Sequence, residues 1–283
     1  MFEHLTVLAP GLLGGSLAMA AHELGLAKKI TVWARRSDLA ERCAQQSWCD
    51  QATHILHNAV AEADFIVICS PIDAIIELCR KITPYLAESA IVTDVGSTKG
   101  AITRECSKLL SEKAHFVGSH PMAGSEKSGL DHASAKLFRD KPCLITATPT
   151  TDGEALKKVH VFWQELGMII HLLEPSEHDH IVASISHLPH LLASSLAAYL
   201  QGRSESATFV QCSGNGLKDT TRIAAGSPEL WKSILLQNSD AILAETKGFS
   251  QTWEGLLSAL KAKDEKALTQ LLQSGKNFRD LLG

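Results

Sequence analysis

Leu5-Thr-Val-Leu8-Ala9-Pro10-Gly11-Leu12-Leu13-Gly14-Gly15-Ser16-Leu17 is an apolar run that breaks into a glycine-rich turn and continues as a helical pattern. A strand feeding a helix through such a turn is the opening unit of a dinucleotide-binding fold. Gly11 would let the backbone approach a pyrophosphate, and Gly14 would let the helix pack on the strand. The unpaired N–H groups of the helix start, at Leu12 and Leu13, would face the negative charge. The first glycine of the usual turn is replaced by Ala9.

Working outward, short apolar runs recur at Ile30–Trp33, Phe65–Ile68, Ile91–Thr93, Phe116–Val117, Cys143–Thr146 and Ile169–Leu173. Most are near-continuous, as strands covered on both faces are, and helical patterns such as 15–24 and 72–85 separate the earlier ones. Repeated strand–helix–strand units predict a Rossmann-like, doubly wound and mostly parallel sheet. Beyond about Glu177 the β-branched runs thin out into Ala-, Leu-, Ser- and Gln-rich helical patterns. Two domains are expected, a dinucleotide-binding domain over 1–174 and an all-helical one over 175–283. Pro175-Ser176-Glu177 reads as a helix start capped by Ser176, and Ser227-Pro228-Glu229 as a second.

The 283 residues carry a net charge of −4 with no long basic run, which excludes a nucleic-acid footprint. Seven cysteines without a C-x-x-C pair point to a reducing, cytoplasmic setting, and no secretory signal pattern opens the chain. The uncharged stretch Ile181–Leu200 has the length of a membrane span but contains Pro189, His187, His190 and serines; a buried or interfacial helix is expected instead. The histidines show no metal-ligand spacing, so no metal is expected.

At the position where NAD-binding folds offer an acid to the ribose, this chain has Trp33-Ala34-Arg35-Arg36-Ser37. Two guanidiniums and a hydroxyl suit a 2′-phosphate, which favours NADP over NAD. Ser70 and Pro71, after the Phe65–Ile68 run, complete the candidate cofactor contacts. The loop from Phe116 to Gly129 surrounds His120 with glycine, proline and small polar residues, a setting in which an imidazole can act as a general base.

Gly118-Ser-His-Pro-Met-Ala-Gly-Ser-Glu-Lys-Ser-Gly129 resembles the signature loop of the prephenate and arogenate dehydrogenases of tyrosine biosynthesis. Asp94-Val-Gly-Ser97-Thr-Lys99-Gly100 is similar to that family's serine-bearing strand end. Ser186-His187-Leu-Pro-His190 is similar to its helical histidine motif, and Gly216-Leu-Lys218-Asp219-Thr-Thr-Arg222 to its substrate-carboxylate motif. The resemblance implies an oxidative decarboxylation with hydride transfer to a nicotinamide. It makes His120 the base, Ser97 a hydrogen-bonding partner of the substrate hydroxyl, and Arg222 the clamp on a substrate carboxylate. Lys218, Asp219 and Glu126 would line or gate the pocket, and His187, His190 and Trp231 would lie near the substrate side chain. The resemblance also implies a homodimer formed through the helical domain. Two rival readings remain: a β-hydroxyacid dehydrogenase-like reductase, which would use a lysine such as Lys218, and a non-catalytic dinucleotide sensor.

Overall fold

The computed structural model describes residues 2–124 and 127–283. Eight strands form one sheet: β1 (Phe2–Leu8), β2 (Ala27–Trp33), β3 (Gln51–Thr53), β4 (Phe65–Ile68), β5 (Ile91–Asp94), β6 (His115–Pro121), β7 (Pro142–Thr146) and β8 (Ile169–Leu173). Their order is β3-β2-β1-β4-β5-β6-β7-β8. Every pairing is parallel except β6 with β7. All seven expected strands are present. The short β3 had no apolar run to announce it, and the reversal at β7 leaves the predicted, mostly parallel sheet intact.

The burial pattern explains why these segments pair as they do. Phe65 and Val67 of β4 enter one apolar cluster with Leu5, Val7 and Phe162. Ile66 and Ile68 enter a second with Leu8, Ile75 and Val92 on the opposite face. Burying each such side chain contributes roughly 1.5–3 kcal/mol, which suits a central strand covered on both sides. The covering helices are α1 (Leu12–Glu23), α2 (Ser37–Ala44), α3 (Leu56–Val60), α4 (Ile72–Ile82), α5 (Gly100–Leu110) and α6 (Gly153–Glu165).

Helices alone follow among the described residues after β8: α7 (Pro175–Val182), α8 (Leu188–Gln201), α9 (Ser206–Cys212), α10 (Asn215–Thr221), α11 (Pro228–Gln237), α12 (Ser239–Ala262) and α13 (Glu265–Leu281). A π-helical turn over Ala183–His187 joins α7 to α8. Ser227 caps α11 as expected, its hydroxyl accepting from Leu230 N. Ser176 does not cap α7; Pro175 occupies the first helical position, so the preceding Glu174 is the boundary residue and Ser176 lies two residues too deep. Pro175–Gln201 is long and apolar enough to cross a membrane by length and composition, and 33% of its most apolar window is buried within the chain. Large apolar side chains stay open on the later helices, with Leu236 70%, Leu243 66% and Leu281 82% exposed.

Candidate active site

The sheet order reverses between β1 and β4, and a crevice at that point, outside the carboxyl ends of the strands, is where such folds take a ligand. A cavity of about 750 Å3 lies there, lined by Gly11, Arg35, Arg36, Ser70 and Pro71 among others. Ala9 adopts the left-handed backbone that glycine normally supplies, with φ 70°. A Cβ on Gly14 would sit 2.4 Å from the Ala9 carbonyl oxygen, so α1 approaches β1 only because this residue has no side chain. A Cβ on Gly11 would meet nothing within 4 Å, which leaves the turn open to a ligand beside the first N–H groups of α1, at Leu12 and Leu13. These features fit a dinucleotide. Arg36 pairs with Asp38 at 2.9 Å, whereas Arg35 has no ion-pair partner among the described residues. Ser37 opens α2 directly after them.

β6 carries the second half of the site. Its residues 115–117 pair with β5, while Gly118–Pro121 run past the end of β5 and pair with β7, His120 lying opposite Leu144. This overrun delivers His120 to the crevice end of the sheet, almost fully buried. Ser97 stands in the loop between β5 and α5, half-buried, with its hydroxyl unpartnered among the described residues. Asp94 secures that loop: Oδ2 accepts Gly96 N at 2.8 Å and the Lys99 ammonium, and Oδ1 accepts Ser119 N at 3.2 Å. The Asp94–Lys99 pair is wholly buried.

α7 and the π turn close the site from the helical side. Nδ1 of His120 lies 2.9 Å from Nε2 of His178, and Nδ1 of His178 lies 2.8 Å from Oδ1 of Asp179. The Asp179 carboxylate also accepts Lys99 N at 2.7 Å and Gly100 N at 2.8 Å, capping α5. Burial pushes the Asp179 carboxyl upward, but the bonds from His178, Lys99 N and Gly100 N outweigh it and hold the group below its ordinary range. Burial, reinforced by His178 and Lys99, drives His120 well below the usual imidazole range; burial also lowers His178. His187 is pushed down to about 4 by burial. The amide of Asn238 donates to the Asp179 carbonyl oxygen at 2.7 Å and lies 3.1 Å from His187 Nδ1.

His190 stacks on Trp231 with ring centroids 3.5 Å apart, and its Nδ1 is buried without a partner among the described residues. Both line a groove with Leu191, Ser194 and Leu235. α11, which carries Trp231, is tied to the sheet side: Ser233 and Gln237 donate to Asp73, and Thr98 Oγ1 donates to Gln237 at 2.9 Å. The structure thus brings His120, His187, His190 and Trp231 into one region flanked by the Ser97 loop. Lys218, Asp219 and Arg222 are exposed and without ion-pair partners among the described residues; Lys218 lines a different groove with Phe209 and Leu217. Glu126 lies outside the described residues. Sequence reasoning missed His178, Asp179 and Asn238. His178-Asp179 offered a signal, an adjacent imidazole and acid at a helix start, but their partners lie 58 and 80 positions away.

A phosphate-binding turn on a doubly wound sheet, continued by helices that press a histidine cluster against the strand ends, is the build of a nicotinamide-dependent dehydrogenase. The chain matches the prephenate dehydrogenase nucleotide-binding domain over residues 17–172 and the prephenate dehydrogenase dimerization domain over 174–274. It therefore belongs to the prephenate dehydrogenase family, oxidoreductases that carry out an oxidative decarboxylation in tyrosine biosynthesis. It is 29% identical to the cyclohexadienyl dehydrogenase of Zymomonas mobilis, covering 99% of this chain and 96% of that one. The prephenate dehydrogenase of A. aeolicus, solved with hydroxyphenyl propionate and NAD+, superposes with a TM-score of 0.93 at 28% identity, covering 100% and 99% of the two chains. Synechocystis arogenate dehydrogenase gives 0.87 at 31% identity, covering 99% and 100%.

Proposed function

We propose that this protein oxidises prephenate, arogenate or both, with NADP preferred over NAD. The observation that carries the reading is a buried His120, held well below the usual imidazole range, on the stretch of β6 that runs past the end of β5. A bound nicotinamide supplies the hydride acceptor. His120 takes the proton of the ring hydroxyl as the carbon bearing it is oxidised. The bond to the ring carboxylate breaks, its electron pair passes through the ring to the oxygen of that hydroxyl, which takes the proton back from His120, CO2 leaves and the ring becomes aromatic. Ser97 hydrogen-bonds the same hydroxyl and orients it. Arg222 clamps a substrate carboxylate, and Glu126, Lys218 and Asp219 line the approach. His187, His190 and Trp231 form the wall beside the substrate side chain.

Gly11, Leu12, Leu13 and Gly14 hold the pyrophosphate, with Ser70 and Pro71 lining the same cavity as Gly11. Arg35, without an ion-pair partner among the described residues, and Arg36 with Ser37 receive the 2′-phosphate. The β-hydroxyacid reading needs a lysine at the base and leaves the buried His120 without a task. The dinucleotide-binding part spans 1–174 and the helical part 175–283. The protein is a cytoplasmic homodimer joined through the helices, where Leu236 and Leu243 stand open. Sedimentation should give twice the 30.5 kDa chain mass, and Leu243→Glu should shift it to the monomer; a wild-type monomer contradicts the assembly. Absorbance at 340 nm with prephenate or arogenate, each with NAD or NADP, tests the reaction. Silence in all four combinations removes it, and faster turnover with NAD removes the role given to Arg35.

A further inference from the structure

We infer that His178 and Asp179 are positioning residues that lock His120 in the tautomer whose Nε2 is a free acceptor, so that the helical part of the chain makes the base on the sheet competent. The function proposed above enters only in naming what that base acts on.

The assignment follows from proton bookkeeping along three side chains. An ionised Asp179 carboxylate can only accept, so Nδ1 of His178, 2.8 Å away, must donate to it. A neutral His178 has one N–H, so its Nε2 carries a lone pair. That lone pair faces Nδ1 of His120 at 2.9 Å, which must therefore bear the proton. A neutral His120 then has Nε2 unprotonated, the state a general base requires. The opposite order needs a charged His178 and places the His120 proton on Nε2, where it blocks the base.

The surroundings decide between the two. His178 is fully buried, and the groups facing the pair are Lys99 at the start of α5, Asp94 at the end of β5, His187 in the π turn and Cys143 on β7. Burial and the Lys99 ammonium both oppose a second cation here, and both rings are held below their ordinary values. Asp179 cannot swing away, because its two oxygens are fixed by the Lys99 and Gly100 N–H groups. A Cβ on Gly100 would lie 2.8 Å from Oδ2, so this approach depends on a glycine at the first position of α5. When His120 takes a proton on Nε2, its Nδ1–H stays bonded to His178. The new charge is balanced through that ring by Asp179, and no second proton has to move.

Asp179→Asn removes the ionised acceptor that fixes the His178 proton on Nδ1 and sets an amide N–H2 against the Lys99 or the Gly100 N–H, so the order along the chain is no longer held and the Nε2–H form of His120 gains population. Loss of the orienting acid from a Ser-His-Asp triad costs roughly 10⁴-fold in kcat, and with a ring interposed we expect roughly 10²–10³-fold here. KM should stay within about threefold, since neither residue is assigned to the substrate. The deciding measurement is the nitrogen-15 spectrum of histidine-labelled wild-type protein near pH 8, with His120 identified through His120→Asn. The expected result is a protonated Nδ1 and an unprotonated Nε2 on His120, with the Nε2–H form appearing beside it in Asp179→Asn. A proton on Nε2 of His120 in the wild type overturns the inference, as does Asp179→Asn with wild-type kcat. Should Asp179→Asn fail to fold, the wild-type spectrum still decides. A protein that turns over neither substrate yet shows the expected nitrogens loses the proposed function and keeps this inference; an active protein with the reversed pattern does the opposite.

Discussion

The sheet and the helices of this chain solve the burial problem differently. In β4 four consecutive residues, Phe65 to Ile68, are buried, two into each face of a closed core. In α11, α12 and α13, by contrast, Leu236, Leu243, Phe278 and Leu281 face outward. A sheet covered on both sides completes its core within one chain, whereas a bundle of amphipathic helices of this length does not. The chemistry divides along the same line. Under the proposed function, His120 and the cofactor cavity belong to the sheet, and Arg222, His187, His190 and Trp231 belong to the helices.

The strongest way to break this division is His120→Asn, which should lower kcat by roughly 10²–10⁴ and leave KM nearly unchanged. Steady-state kinetics showing near-wild-type kcat would take the base away from the sheet. Next in size, Gly14→Ala drives a Cβ into the Ala9 carbonyl and the Cys69 side chain. It should cost about 3 kcal/mol in urea denaturation and weaken dinucleotide binding in a fluorescence titration. A stable, tightly binding variant would show that the first turn needs no close approach. Arg222→Gln probes the helical side: KM should rise roughly ten- to a hundredfold, about 1.4–2.7 kcal/mol, with a smaller change in kcat. An unaltered KM would remove that arginine from the site. Smallest is Ala9→Gly, which relieves a positive φ and should stabilise the protein by less than about 1 kcal/mol, read as a small rise in Tm.

What was legible in the sequence follows a physical rule. Continuous apolar runs such as Phe65–Ile68 declare buried strands, and the 9–14 turn declares its own function, because the information is local. β3 has three residues and two polar ones, so nothing in Gln51-Ala-Thr53 marks it until Trp33 pairs beside it. The direction of β7 was equally silent, since Cys143–Thr146 reads the same whichever way it runs against β6. Ser176 misled because a proline one residue earlier takes the helix start from it. Of the chain from His120 to Asp179 only the adjacent His178-Asp179 pair was in view, because its bond to His120 joins residues remote in sequence and its own pairing depends on burial.

The π-helical turn at Ala183–His187 has a consequence of its own. Each residue of an α-helix advances the side chains by ~100°, and a π turn absorbs one residue more than an α turn does. α8 is therefore out of phase with α7 by about a quarter of a revolution compared with an uninterrupted helix. Remove one residue from this turn and His178 keeps its place over the sheet while His190 rotates away from Trp231. The geometry has the form of a single-residue insertion, one that aims the two ends of one helix at two different neighbours.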